Sequence, residues 1–161
     1  MTKLRTFLIT ALLAALPAYS QAASLQAYEK ACQAGNGAAC GEIGARYCAP
    51  WGVIDCEKGK EYLKKSCDLN VANGCGALAS IYEKGYGGTP KSPETALKYY
   101  EKACDLGSPE YCYITGNRYK NGSTPAGANP AKALECFKKS CDAGMEDACR
   151  ALNDLLDNSG I

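Results

Sequence analysis

Cysteine is the residue with the most chemistry to offer in this chain, because eleven occur among 161 residues and histidine is absent. Ten of the eleven fall into five pairs with a constant separation of eight: Cys32 with Cys40, Cys48 with Cys56, Cys67 with Cys75, Cys104 with Cys112, and Cys141 with Cys149. Thiols serve metal binding, redox exchange or structural cross-linking. No CxxC occurs and the mixed Cys/His zinc sites need a histidine, so disulfides are the expected use and neither a metal nor a cofactor is expected. Residues eight apart in one straight helix lie about 12 Å apart. Bridged cysteines need Cα atoms within roughly 4.4–6.8 Å, so each bridge demands a chain reversal. For that reason Cys48 is assigned to Cys56, across Pro50 and Gly52, and not to Cys40, which would span a helical stretch. Cys136 is left over; a buried spectator thiol is expected, with an intermolecular bridge or a reactive thiol as alternatives.

Other catalytic groups are scarce. A Ser-His pair is impossible, and neither SxxK, SDN nor KTG occurs, so no catalytic residue is assigned. Lys30, Lys65, Lys102 and Lys139 stand two residues before the first cysteine of four pairs, a column that stacking would turn into a ladder for an acidic partner or anionic glycan. The competing explanation is simple solvation, since cations are favoured near helix C-termini. Tyrosine outnumbers phenylalanine eleven to two. Most tyrosines fit core columns, whereas Trp51, Tyr86, Tyr111 and Tyr113 fall outside them and are candidate interface anchors.

The elements that position these groups follow from the cysteine period. Four pairs recur at intervals of 35, 37 and 37 residues, the mark of stacked supersecondary units. Before the first cysteine the units read QAYEKAC, EYLKKSC, KYYEKAC and ECFKKSC. Tyr28, Leu63, Tyr100 and Phe137 sit four residues ahead of it, with Ala or Ser adjacent, an apolar stripe at helical spacing. This is helix A of each unit. After the second cysteine, Ile43, Leu78, Thr115 and Leu152, then Tyr47, Tyr82, Tyr119 and Leu156, define helix B. Between those two rows lie Gly44, Ala79, Gly116 and Asn153, small enough in three units for a neighbouring backbone to approach. Gly107 and Gly144 are placed as helix stops and Ser108 as an N-cap. The expected fold is therefore an all-α solenoid of helical hairpins, each stapled by a disulfide contributing about 2 to 3 kcal/mol.

Lys3 and Arg5 precede an apolar run from Phe7 to Leu16, and Ser20-Gln21-Ala22 offers small residues where a signal peptidase reads. Residues 1–22 are expected to be a signal peptide, and 23–161 one repeat domain with units at about 25–56, 57–91, 92–129 and 130–157. The apolar run is too short to span a membrane. Removing the leader takes two of 18 basic residues and none of the 17 acidic ones, which leaves one excess negative charge. Nucleic acid is therefore not an expected partner. A soluble periplasmic or secreted monomer is expected, and the cysteine content agrees with that compartment.

The segment Ala96-Leu97-Lys98-Tyr99-Tyr100-Glu101-Lys102-Ala103, followed by Asp105-Leu106-Gly107, Gly116 and Tyr119, resembles the Sel1-like repeat, a relative of the tetratricopeptide repeat. Asn121-Gly122 and Gly52-Val53 resemble its connector, and the paired cysteines resemble those of the Helicobacter cysteine-rich proteins. The resemblance spans about Leu25 to Leu156. Thr115 and Asn153 depart from the pattern. It implies a right-handed α/α superhelix acting as an adaptor for a protein or cell-wall fragment, an immunity-type binder of a secreted effector being one form. It also implies an alternative, because some members are described as weakly penicillin-binding or β-lactam-hydrolysing.

Overall fold

The computed structural model describes residues 24–48 and 55–159. Trp51 and the expected signal peptide lie outside the described residues. Eight helices follow one another: α1 over 24–33, α2 Gly37–Tyr47, α3 Cys56–Asp68, α4 Ala72–Lys84, α5 Pro93–Asp105, α6 Pro109–Lys120, α7 Pro130–Asp142 and α8 Glu146–Ser159. Among the described residues there is no strand. Odd-numbered helices are the A helices of the four units and even-numbered ones the B helices.

Local sequence fixes the helix starts. Asp55, Ser92 and Asn129 stand twelve residues before the first cysteine of units two, three and four. Each accepts a backbone N–H of the first turn: Lys58 at 3.1 Å, Thr95 at 3.2 Å and Lys132 at 3.0 Å. Pro93 and Pro130 follow two of these caps, where proline's missing N–H is not needed. Ser108 occupies the N-cap position of α6 as expected, but its side chain makes no capping hydrogen bond.

The reversal inside each hairpin requires one left-handed residue, three positions after the first cysteine. Gly35, Gly107 and Gly144 take it with φ of 92°, 87° and 91°. Unit two places Asn70 there at φ 60°, the side chain that tolerates this region best. These turns bring the paired cysteines of each hairpin together, and all four pairs form disulfides. Cys32 bridges to Cys40 with Cα atoms 4.7 Å apart, Cys67 to Cys75 at 4.6 Å, Cys104 to Cys112 at 4.4 Å and Cys141 to Cys149 at 4.7 Å. A fifth bridge joins Cys48 to Cys56 at 4.4 Å, between units one and two. The four hairpin bridges are alike in spacing but not in setting. Cys40, Cys75 and Cys112 are buried with their partners, whereas Cys141 and Cys149 are only half-buried, because none of the described helices stacks beyond α7 and α8. Cys136 is the free cysteine and is buried.

Helix packing is uneven. The B helices α2, α4 and α6 pack extensively on the A helix of the next unit (α3, α5 and α7), and α4 and α6 pack less extensively on their disulfide partners α3 and α5. The hairpin bridges thus staple the more sparsely packed pairs. The tight pairs depend on the small-residue row: a Cβ built on Gly44 would lie 2.7 Å from Leu63 Cγ and 2.8 Å from the Gly59 carbonyl oxygen. One on Gly116 would lie 2.7 Å from the Phe137 ring. Leu63 and Phe137 are fully buried there with Ile43, Leu78 and Thr115, each large apolar side chain contributing about 1.5–3 kcal/mol.

A second periodicity spans two units. Units one and three end helix A in Glu-Lys-Ala-Cys, units two and four in Lys-Lys-Ser-Cys. The two serines are buried and equivalent: Ser66 donates to the Gly37 carbonyl at 2.8 Å and Ser140 to the Pro109 carbonyl at 2.7 Å, each the first residue of the preceding B helix. A buried hydroxyl requires such a partner. The array is therefore built as two double units, and the junctions inside each double unit differ from the one between them.

Candidate interaction surface

The lysine column lies near the C-terminal ends of the A helices, where stacking brings each unit's lysine towards the aspartate following the first cysteine of the unit before. Lys102 approaches Asp68 at 3.8 Å, and Lys139 binds Asp105 at 3.0 Å while also reaching Glu135 on its own helix. These hydrogen bonds hold the Lys139 ammonium above its ordinary pKa. Lys30 and Lys65 are exposed and make no ion pair among the described residues. The residue that would meet Lys65 in this register follows Cys32, and it is Gln33, not an aspartate. The column, read from the sequence as a ladder for an acidic partner or as solvated cations, is at Lys102 and Lys139 a Lys–Asp ladder within the chain. The signal for it was visible as the Cys-Asp dipeptide in units two, three and four.

The candidate aromatic anchors separate. Tyr86 is exposed, with Lys84 5.7 Å from its ring centre. Tyr113 is half-buried, its ring 5.9 Å from that of Phe137. Tyr111 leans over Gly76 and Tyr100, whose ring is 6.0 Å away. Tyr111 and Tyr113 therefore pack between units. Their neighbours lie on other helices, at distances that a single-helix stripe does not reveal.

A further set of polar side chains lies in the three-helix junctions, and the sequence reading did not single it out. In the first junction, Glu29 of α1 accepts from Lys58 of α3 at 2.8 Å, Tyr47 of α2 at 3.0 Å and Tyr62 of α3 at 3.3 Å. The Lys58 hydrogen bond, aided by Tyr47, holds the Glu29 carboxyl below its usual range. The Tyr62 ring stacks on Tyr47 with centres 5.9 Å apart. At the third junction the equivalents recur: Glu101 accepts from Tyr119, and Lys132 donates to the Tyr119 hydroxyl at 3.0 Å. The middle junction, of α3, α4 and α5, lacks this set; beside it Glu83 of α4 binds Arg118 of α6 and accepts from Tyr100 of α5 at 2.9 Å.

The Cys136 thiol is pushed up to about 11, chiefly by burial, which leaves it protonated at neutral pH and a poor nucleophile. Ser66 and Ser140 are engaged with backbone carbonyls. Among the described residues, no group of three or more Cys, Asp or Glu side chains is disposed to hold a metal ion. No described helix is long and apolar enough to cross a membrane.

Comparison with known proteins gives a consistent picture. The family model described as Sel1 repeat matches residues 39–71, 72–108 and 109–145. Its phase begins on a B helix, so each matched unit pairs B with the following A helix, the pairs that pack most extensively here. Among solved structures, the chain is similar to a Sel1 repeat protein from Oxalobacter formigenes, with TM-score 0.69 and 22% identity, covering 81% of this chain and 97% of that one. A protective antigen of uropathogenic Escherichia coli displaying an SLR fold matches with TM-score 0.67 and 21% identity, over 83% of this chain and 29% of that one. Helicobacter pylori cysteine rich protein B matches with TM-score 0.60 and 32% identity, over 80% of this chain and 96% of that one. No curated protein sequence gives a significant match. Five disulfides, together with the similarity to a cysteine-rich protein, indicate an oxidising, extracytoplasmic setting.

Proposed function

The chain belongs to the Sel1 repeat family, whose fold is a protein–protein interaction scaffold, and on that premise we propose that this member is an exported adaptor of the cell envelope. Residues 1–22 act as the signal peptide, and the mature chain works in the periplasm or after secretion, binding a protein partner. The observation that carries this proposal is the stapling itself: five disulfides reinforce the array. Such bridges form and persist in oxidising compartments. Holding four hairpins in fixed register keeps a continuous surface available for recognition, which is how repeat arrays bind.

The binding surface includes the ends of the A helices, where Lys30 and Lys65 remain unpaired and Lys102 and Lys139 alternate with aspartates. Tyr86, exposed after α4, is a further candidate contact. The partner is a protein with acidic groups spaced to meet that edge, and an immunity-type interaction with a secreted effector is one form this takes. Cell fractionation with mass spectrometry of the mature N-terminus tests export, with Ala23 expected as the first residue of an envelope-located chain. An unprocessed cytosolic chain with reduced cysteines contradicts it. Charge reversal at Lys30 and Lys65 tests the surface, and an unchanged affinity and salt dependence for an envelope partner removes these residues from it.

A further inference from the structure

One column of helix A carries a gap that the stacking does not fill. Five residues before the first cysteine stand Ala27, Tyr62, Tyr99 and Cys136. In units two and three the tyrosine lies flat on the last tyrosine of the preceding B helix. Tyr62 stacks on Tyr47 and Tyr99 on Tyr82, each pair with ring centres 5.9 Å apart and interplanar angles of 13° and 9°. In unit four the partner tyrosine, Tyr119, is present and the stacking ring is not. A cavity of about 320 Å³ occupies this junction, lined by Tyr119, Cys136, Glu101, Lys132 and Lys139 among others. Cys136 is 9% exposed, and its thiol takes part in no disulfide.

The polar surroundings of the absent ring are kept. In the first junction the ring that fills this place, Tyr62, donates its hydroxyl to Glu29, and Lys58 lies 5.8 Å from its centre. The third junction retains the equivalent carboxylate, Glu101, and the equivalent ammonium, Lys132, 4.9 Å from the Tyr119 ring centre. Glu101 receives Tyr119 and Lys132 through Oε1, which leaves its Oε2 available for a second phenol. The cavity also carries Asp105 and Glu135, so acids outnumber lysines in its lining and an anionic ligand is disfavoured.

We propose that this cavity between α5, α6 and α7 is a binding site for a tyrosine side chain presented by a partner polypeptide, its ring laid against Tyr119 and its hydroxyl donated to Glu101. The site rests on the scaffold proposal for its physiological partner and not for its existence. Offset-stacked rings at this spacing attract beyond the area they bury, and the chain itself provides two examples of the arrangement.

The test uses the oxidised mature chain and N-acetyl-L-tyrosinamide as the probe, with the phenylalanine and leucine analogues beside it. Saturable chemical-shift changes at Tyr119 and Cys136 are expected with the tyrosine probe, smaller ones with phenylalanine and none with leucine. The tyrosine probe should also slow alkylation of Cys136 severalfold in the wild-type protein, a reading that needs no variant. C136A should keep the response. C136Y, which supplies the ring from within, should abolish it while preserving the melting temperature. Equal response to the leucine probe, no response at Tyr119, or unchanged binding in a folded C136Y protein overturns the site. A protein partner whose affinity is the same for C136Y and wild type removes the site and leaves the scaffold proposal standing. A positive probe result with no protein partner does the reverse.

Discussion

Replacing Gly44 by alanine puts the helix-packing account at risk with one methyl group. Two effects oppose each other. Alanine is favoured over glycine in a helix interior by about 1 kcal/mol, so on propensity alone α2 is strengthened. The added Cβ, however, would sit 2.7 Å from Leu63 Cγ, 2.8 Å from the Gly59 carbonyl oxygen and 2.9 Å from the Leu63 backbone nitrogen. Two of those three atoms are backbone, so relief requires α3 to move away from α2 as a body. Overpacking of a tight core costs about 1–3 kcal/mol, and a backbone obstruction places this site at the upper end. The net expectation is a loss of about 2 kcal/mol, or roughly 4–8 °C in Tm for a chain of this size, read by calorimetry on the oxidised protein. At Gly116 the obstruction is the Phe137 ring alone, and a smaller loss is expected. A G44A protein that melts at or above the wild-type temperature refutes the close approach of α2 and α3.

Further consequences follow from other parts of the structure. Reduction removes five loop constraints of about 2.5 kcal/mol each from a fold whose total stability is of order 5–15 kcal/mol, so reduced protein should melt far below oxidised protein; superimposable melts contradict this. Asn70→Gly should raise stability by a few tenths of a kcal/mol and Asn70→Ala lower it by about 1 kcal/mol, since only the left-handed conformation closes that turn; equal melts for the two variants contradict it. Glu29 has its folded pKa depressed below the ordinary 4.5 by the Lys58 hydrogen bond, so its contribution is present above pH 4.5 and lost as pH falls through the lower folded value. Acid titration of Glu29→Gln should accordingly show a shallower stability loss below pH 4.5 than wild type. Nitrocefin hydrolysis by the purified chain is expected to stay at background; turnover abolished by changing one serine or tyrosine contradicts the non-enzymatic reading.

Much of the architecture was legible because the cysteines mark the phase of the repeat. Once Cys32, Cys67, Cys104 and Cys141 are aligned, the columns of Leu63 and Phe137, and of Gly44 and Gly116, identify the faces that meet, and the structure places those residues in contact. The difference in setting between the bridge of Cys141 to Cys149 and those ending at Cys75 and Cys112 was not legible, since burial depends on what stacks above a unit and not on its own letters. Relations across the stack were harder to see, because they join residues of similar column but different unit. Tyr111 and Tyr113 looked surplus to a single-helix stripe, yet Gly76 and Phe137 on neighbouring helices receive them. The pairing of Lys139 with Asp105 likewise depends on the stacking offset. The alternation of Glu-Lys-Ala-Cys with Lys-Lys-Ser-Cys was present in the letters, and its meaning became clear only when Ser66 and Ser140 were found against equivalent carbonyls. Cys136 is the sharpest example. Its column was evident from the alignment, but the missing ring acquires significance only beside the stacked Tyr62 and Tyr99.

The adaptor role is tested most directly by titration. Oxidised chain is used to enrich proteins from the envelope of its own organism, and the enriched protein is purified and titrated against the chain by calorimetry. A saturable complex at micromolar concentration or below, lost when the bait is reduced, is the predicted result. Failure of any envelope protein to form such a complex, or equal binding to the reduced and unfolded bait, would contradict the account.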